Sequence, residues 1–228
     1  MAMQRHNRLS AYALLTGGVL ALVANAMTPR ISDTAKGYVE LATSKRWLVA
    51  NVMLFVALTL VVAGLARVAN TLGERTSELA DFGRVAVIAG GAAALVQLAV
   101  ETSALKHQAE IWYHTPQGTT DFAMTYWAAN SVDHLNAALQ VTWDILLVGL
   151  APALLGAAML RSTMFSRPIA VFGIASGTAA LVVSYLLLVN DNRDRLDIPF
   201  AIASVAVTLW VITCGWQLRD GAEPPRLR

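Results

Sequence analysis

Long apolar runs alternate with short polar stretches along the whole chain. Each run is long enough for a helix to cross the hydrocarbon layer of a bilayer, which takes about 20 residues. The six runs lie at about residues 10–27, 47–69, 82–103, 132–160, 168–190 and 198–217. The pattern therefore predicts an all-α fold, a polytopic membrane helix bundle with six transmembrane helices in one domain, 1–218.

The stretches between the runs suggest three further features. Residues 104–131 are polar and rich in aromatic side chains such as Tyr126 and Trp127, which is typical of the headgroup layer, and we expect an outer interfacial cap there. Tyr38 and Leu41 lie on one side of a possible short interfacial helix. Residues 219–228 are predicted to form a disordered tail.

The first run allows two interpretations. Residues 23–26 (VANA) satisfy the small-x-small rule for signal-peptide cleavage, whereas the run is also long enough to be a first transmembrane helix that directs insertion. We favour the transmembrane helix. More of the 17 Lys and Arg residues then fall on the side of the two termini than on the other side, which predicts cytoplasmic termini.

Composition agrees with a membrane location. The 228 residues are 56% hydrophobic and 14% charged, and the net charge is only +2, which disfavours a nucleic-acid surface. Mean hydropathy is +0.54. The single cysteine, Cys214, excludes an intrachain disulfide and a cysteine-based metal cluster. We expect a multi-pass protein of a cell membrane, the bacterial inner membrane, surrounded by membrane lipids.

Two polar stripes interrupt this apolar pattern. Gln97 and Glu101 share one side of the third helix, and Asn136, Gln140 and Asp144 share one side of the fourth. Because consecutive membrane helices run in opposite directions, Gln97 and Gln140 should lie at a similar depth. The sequence predicts a polar chamber between these helices that opens to the outer leaflet and is closed at its inner end.

Asp144 is the most informative residue of the chamber, since it lies near the middle of an apolar run. Loss of hydration favours the neutral carboxylic acid, which is the state that a general acid requires. Alternatively, Asp144 is a buried hydrogen-bond partner for Gln140, Asn51 or a carbonyl freed by Pro152. Glu101 is either a second catalytic carboxyl or a solvated helix end.

The leading functional hypothesis is a membrane-integral enzyme that isomerises or cyclises an isoprenoid or another lipophilic substrate. Asp144 would donate the proton, and Glu101 would stabilise positive charge or take the proton back. The predicted substrate-binding residues are Gln97, Asn136, Gln140, Trp143, Tyr126 and Trp127. The alternative is a non-catalytic subunit that binds a lipid, quinone or pigment, or that assembles a complex.

A third hypothesis is a metal- or haem-binding protein. His107, Glu110 and His114 have spacings of three and four, and His134 could complete the set. However, the spacing matches no established metal motif, and these histidines cluster near one interface rather than within the spans. No cofactor is therefore favoured.

Small residues line one side of the fifth helix. Gly173 and Gly177 have the G-x-x-x-G spacing that lets a neighbouring helix approach closely, either inside the bundle or in a homodimer or complex.

Three segments, 156–162 (GAAMLRS), 165–168 (FSRP) and 173–177 (GIASG), resemble a small bacterial six-helix membrane family without an assigned activity. The use of buried carboxylates is also similar in style to membrane-integral terpene cyclases and sterol isomerases.

Overall fold

The computed structural model describes residues 2–28, 35–73, 77–189 and 196–220, and these residues form helices joined by turns. The α-helices are α1 (Ala2–Met27), α2 (Ala35–Thr43), α3 (Lys45–Gly73), α4 (Ser77–Ala99), α5 (Lys106–His114), α6 (Thr120–Trp143), α7 (Ala151–Leu160), α8 (Arg167–Val189) and α9 (Asp197–Asp220). Two π-helical segments, π1 (Val100–Leu105) and π2 (Asp144–Leu150), join α4 to α5 and α6 to α7. The all-α prediction is confirmed.

Six of the resulting helices are long and apolar enough to cross a membrane, as predicted. They form a closed ring, because α1 packs against both α3 and α9, α3 packs against α4, and α8 packs against both α9 and the α6–α7 helix. The α6–α7 helix closes the remaining side by packing against α4. Each helix is therefore next to its neighbours in sequence, and the first and last helices meet.

The third and fourth spanning helices are longer than their apolar runs. The third continues through π1 to His114, and the fourth begins at Thr120, where the Thr119 hydroxyl caps it by accepting a hydrogen bond from the Phe122 amide (3.1 Å). Residues 104–131 thus form the end of a helical hairpin. The predicted bounds follow the apolar side chains and therefore end where these side chains stop. A helix can extend further into a polar environment, because its backbone hydrogen bonds continue there.

Helix α2 covers the end of this hairpin. Tyr38 and Leu41 are buried on its inner side, as predicted, and the Tyr38 ring packs edge-on against Trp112 and Tyr126 at centroid distances of 6.0 and 5.7 Å. Lys106 Nζ donates to the carbonyl oxygen of Leu41 (3.3 Å) at the end of α2. These contacts form an aromatic cluster separate from the main core.

The two π segments widen their helices next to the two predicted catalytic carboxyls. In π1 the Lys106 amide donates to the carbonyl of Glu101, and in π2 the Ala151 amide donates to the carbonyl of Leu146, five residues earlier in each case. Pro152, which has no amide hydrogen to donate, lies near the start of α7, and π2 ends two residues before it.

Small residues allow α8 to pack closely against π2, α7 and α9. A Cβ atom on Gly177 would lie 2.6 Å from the amide nitrogen of Ala153 and 2.7 Å from the carbonyl oxygen of Gly149. Gly173 faces the indole of Trp210, whose Nε1 donates to the carbonyl of Ile169 (3.1 Å). The predicted small-residue side of α8 is thus used within the chain, and a second copy could not reach either glycine without displacing these contacts.

The first two residues of the predicted tail, Arg219 and Asp220, belong to α9, and residues 221–228 lie outside the described part of the chain.

The close approach at Gly177 gives a first prediction. Gly177→Ala should destabilise the protein by about 1–3 kcal/mol, although alanine is the better helix former, because its methyl group would collide with backbone atoms that cannot move aside. Thermal unfolding of the purified protein in detergent measures the effect. Ala179→Val, on the exposed side of the same helix, is the control and should leave the midpoint unchanged. Equal midpoints for Gly177→Ala and the wild type would contradict this packing.

Candidate functional site

A cavity of about 460 Å³ lies inside the ring of helices. Five of the six spanning helices line it, and α8 contributes no lining residue. The polar lining residues are Asn25, Thr28, Asn51, Gln97, Glu101, Gln140, Ser204 and Thr208. Most of them belong to the half of the bundle in which α1 ends and α3 begins.

The opposite end of the cavity is apolar. Leu58, Leu65 and Val211 line it there, and beyond them the core is filled by close-packed side chains such as Leu72 and Met159. The cavity is therefore polar toward one face of the bundle and apolar toward its depth. This arrangement agrees with the predicted chamber that is closed at its inner end.

A hydrogen-bond network joins the two predicted polar stripes. The Gln97 amide donates through Nε2 to Glu101 Oε2 (2.7 Å) and to Asn136 Oδ1 (2.9 Å). Both hydrogens of this NH₂ group are thus used, and Gln97 links the third and fourth helices directly. The stripes were expected to face each other across a hollow, whereas the structure brings them into contact and places the hollow beside them.

Glu101 is the carboxyl that reaches the cavity. It lies in π1, one turn after Gln97, and it lines the cavity together with Gln97 and Asn51. The Asn51 side chain lies close to the Glu101 carboxyl, and Asn51 Nδ2 makes no hydrogen bond within the described residues. Asp133 adds a second negative charge close to Glu101.

Asp144 occupies a different position. Its side chain is only 3% exposed, it does not line the cavity, and its Oδ1 atom has no hydrogen-bond partner in the described part of the chain. Segment π2, which begins at Asp144, packs against α4 and α8. Asp144 lies one regular turn after Gln140, since its amide donates to the Gln140 carbonyl, and it was expected on the chamber wall for that reason. In the structure the helices packed around π2 bury its side chain instead. Its role as proton donor stays a prediction.

The other predicted substrate-binding residues divide into two groups. Gln140 and Trp143 line the cavity, and Asn136 lies behind the wall as a partner of Gln97. Tyr126 belongs to the aromatic cluster under α2, and Trp127 is 65% exposed on the outside of the bundle. The structure does not bring these two aromatic rings to the cavity, which agrees with their alternative interpretation as interface anchors.

The predicted metal-ligand set is not gathered into one site. Glu110 Oε1 is paired with Lys106 Nζ at 2.7 Å, and His134 Nε2 contacts a neighbouring asparagine amide at 3.2 Å. His107 and His114 are exposed. Among the described residues, no three His, Cys, Asp or Glu side chains are close enough together to hold a metal ion.

The wall of the cavity is incomplete between α6 and α9. Helix α6 packs only marginally against α8, and near α9 it contributes Trp143, which packs against the cluster that contains Ala203 and Val207. The lining residues on the two sides of this gap, Gln140 on α6 and Ala201 and Val205 on α9, are exposed. The cavity is thus only loosely enclosed where Gln140, Ala201 and Val205 line it.

Sequence reasoning missed the contribution of α1 and α9 to the site. Asn25 and Ser204 line the cavity, and Asn51 was considered only as a possible partner of Asp144. Each is an isolated polar residue inside an apolar run, and this signal could have found them, since a polar side chain in a membrane helix normally faces the bundle interior.

The fold and the cavity together define the class of protein. The protein is a multi-pass membrane bundle of six helices with a central cavity that is polar at one end. Residues 9–215 match the family described as a domain of unknown function, DUF4386, and the chain belongs to this family. No curated protein and no solved structure matches the chain, and the similarity to terpene cyclases and sterol isomerases is not shown by any match.

The contact between Gln97 and Asn136 can be measured. In a double-mutant cycle of Gln97→Leu and Asn136→Leu, we expect a coupling energy of about 0.6–1.7 kcal/mol, because each substitution removes the same buried hydrogen bond between helices. Unfolding of the purified variants in mixed micelles gives the energies. A parallel cycle of Gln97→Leu with Thr142→Val, an exposed residue on α6, should show no coupling. Additive effects in the first cycle would contradict the network.

Proposed function

We propose that the protein binds a lipophilic molecule that has one polar end, and that this molecule lies in the central cavity. The observation that carries the proposal is the polarity gradient of the cavity wall, with Glu101 and Asn51 toward one end and Leu65 and Val211 toward the other. The polar end of the ligand meets the amides and the carboxyl, and its apolar part fills the depth. This proposal corresponds to the non-catalytic alternative drawn from the sequence, a protein that binds a lipid, quinone or pigment.

The size of the cavity supports this proposal. A volume of about 460 Å³ falls within the range of roughly 300–1,000 Å³ that small-molecule sites occupy. The apolar side chains that line an empty cavity of this size lack the dispersion contacts that close-packed side chains make elsewhere in the same core. A bound hydrocarbon chain would restore those contacts.

The gap between α6 and α9 supports access from the lipid. Val205, which lines the gap, is 46% exposed on a surface that would face the acyl chains. A lipophilic ligand could therefore diffuse sideways from the bilayer without first entering water. In the predicted orientation, with cytoplasmic termini in a bacterial cell membrane, this gap belongs to the outer leaflet.

A second candidate is acid–base catalysis on the bound molecule, namely isomerisation or cyclisation of an isoprenoid. The Glu101 carboxyl favours it, because this group lines the cavity and could exchange a proton with a double bond or a polar group of the ligand. Asp144 does not line the cavity, so it could supply a proton to the substrate only through another group. In this second candidate function, Glu101 rather than Asp144 is the residue that exchanges a proton with the substrate.

Filling the cavity tests the binding proposal. A farnesol analogue with a diazirine on its tail should label the wild-type protein in liposomes upon illumination, and Ser204→Phe should abolish most of this labelling because the new ring occupies the cavity. Ile202→Phe, on the outer surface of the same helix, is the matched control and should label like the wild type. Equal labelling of both variants, or peptides labelled only on the outer surface, would contradict the proposal.

Catalysis is tested by removing each carboxyl separately. If the protein is an isomerase or cyclase, Glu101→Gln should lower turnover of prenyl substrates by about 100-fold or more while the diazirine probe still binds, because the amide keeps the shape and loses the proton transfer. Asp144→Asn should have a smaller effect, since this residue cannot touch the substrate. Product analysis by mass spectrometry after incubation measures turnover, and unchanged turnover in both variants would remove the catalytic candidate.

A further inference from the structure

We infer that the polar end of the ligand is a carbonyl group, recognised through hydrogen bonds donated by Asn51 and Ser204. This inference rests on the proposed binding function and specifies the chemical class of the ligand. It follows from the polar atoms of the cavity wall that lack partners among the described residues.

The unpartnered atoms in the wall are hydrogen-bond donors. Asn51 Nδ2, Trp143 Nε1 and Ser204 Oγ are buried without a partner in the described part of the chain, and all three residues line the cavity. An amide NH₂ and an indole N–H can only donate, and a hydroxyl can donate or accept. Asn51 is the most strongly buried of the three, at 3% exposure.

Asn51 lies at the same depth as Glu101. Val62 on α3 contacts Gly91 on α4, where an added Cβ would lie 2.5 Å from Val62 Cγ2. The two helices run in opposite directions, and both Asn51 and Glu101 lie about three turns from this contact toward the same face of the bundle. This shared depth agrees with the proximity of the two side chains, which both line the cavity.

Ser204 belongs to the same level. Gly18 on α1 contacts Ile212 on α9, and Gly17 contacts Val61 on α3. From these contacts, Asn25 lies about two turns further along α1, Ser204 about two turns away on α9, and Asn51 nearly three turns away on α3. All three residues therefore lie at a similar depth. The cavity thus has a polar level at which donors come from α3 and α9 and the carboxyl comes from π1.

This arrangement fits an acceptor better than a cation. Glu101 Oε2 already accepts a hydrogen bond from Gln97, so part of the carboxylate is satisfied within the protein. A carbonyl oxygen has two lone pairs and can accept from Asn51 and Ser204 together. An ammonium head would leave the Asn51 donor buried without a partner, which costs free energy, and it would have to lose its own hydration in the membrane.

Three competitors with related isoprenoid tails test the inference: farnesylacetone, a ketone; farnesylamine, a cation; and farnesene, a hydrocarbon. Each is titrated against the diazirine farnesol probe on the full-length protein in liposomes. The ketone should displace the probe at a concentration about tenfold lower than the amine or the hydrocarbon, which is the selectivity expected from about one well-made buried hydrogen bond.

Variants of the donors complete the test. Asn51→Leu should weaken competition by farnesylacetone about tenfold and leave farnesene unchanged, and Ser204→Ala, a smaller change, should act in the same direction. Thr59→Val, which removes an exposed hydroxyl from α3, is the matched control and should retain the ketone preference. The midpoint of thermal unfolding is measured for each variant.

The possible failures are distinguishable. Equal competition by the three molecules, preference for the amine, or an unchanged ketone preference in both donor variants would overturn the carbonyl inference while leaving the binding proposal intact. No competition by any of them, together with probe labelling that Ser204→Phe does not reduce, would overturn the binding proposal and this inference with it.

Discussion

The structure depends on the rule that a polar group inside a bilayer must find its partner within the protein, since no water is present to supply one. The side-chain NH₂ group of Gln97 follows this rule, because it donates hydrogen bonds to both Glu101 and Asn136. The network fastens the third helix to the fourth and holds the Glu101 carboxyl at the edge of the cavity. Asn51 has a buried amide nitrogen without such a partner, and it lines the part of the cavity in which we propose that a ligand binds.

The two carboxyls that the sequence singled out both lie in π segments, with opposite results. In π1 the irregular turn accompanies a side chain that faces the cavity, whereas in π2 Asp144 is buried among packed helices. Both carboxyls keep the spacing of the helix before them, because Glu101 is within hydrogen-bond reach of Gln97 and the Asp144 amide donates to the Gln140 carbonyl. The helices packed around each π segment therefore decide whether its carboxyl reaches the cavity.

The two halves of the bundle differ in packing because they differ in side-chain size at the contacts. Glycines on α8 and α4 let the helices around π2 and α7 approach until side chains fill the core, as Gly177 does against Ala153 and Gly90 against Leu147. In the half of the bundle that contains α6, the contact with α8 is marginal, and polar residues replace the small ones. The hollow, its polar level and its lateral gap all follow from this separation.

The sequence alone determined the class of fold, the number of spanning helices and the polar character of the third and fourth. These properties are local, because the thickness of the bilayer sets the length and composition that a spanning helix needs. The sequence also indicated the pairing of Gln97 with the fourth helix through a shared depth. Only the tertiary structure decided that Asp144 turns away from the cavity, that Asn51 and Ser204 take part in it, and that the helices extend through 104–131. These outcomes depend on helix rotation and on which neighbours meet, and hydropathy carries no information about either.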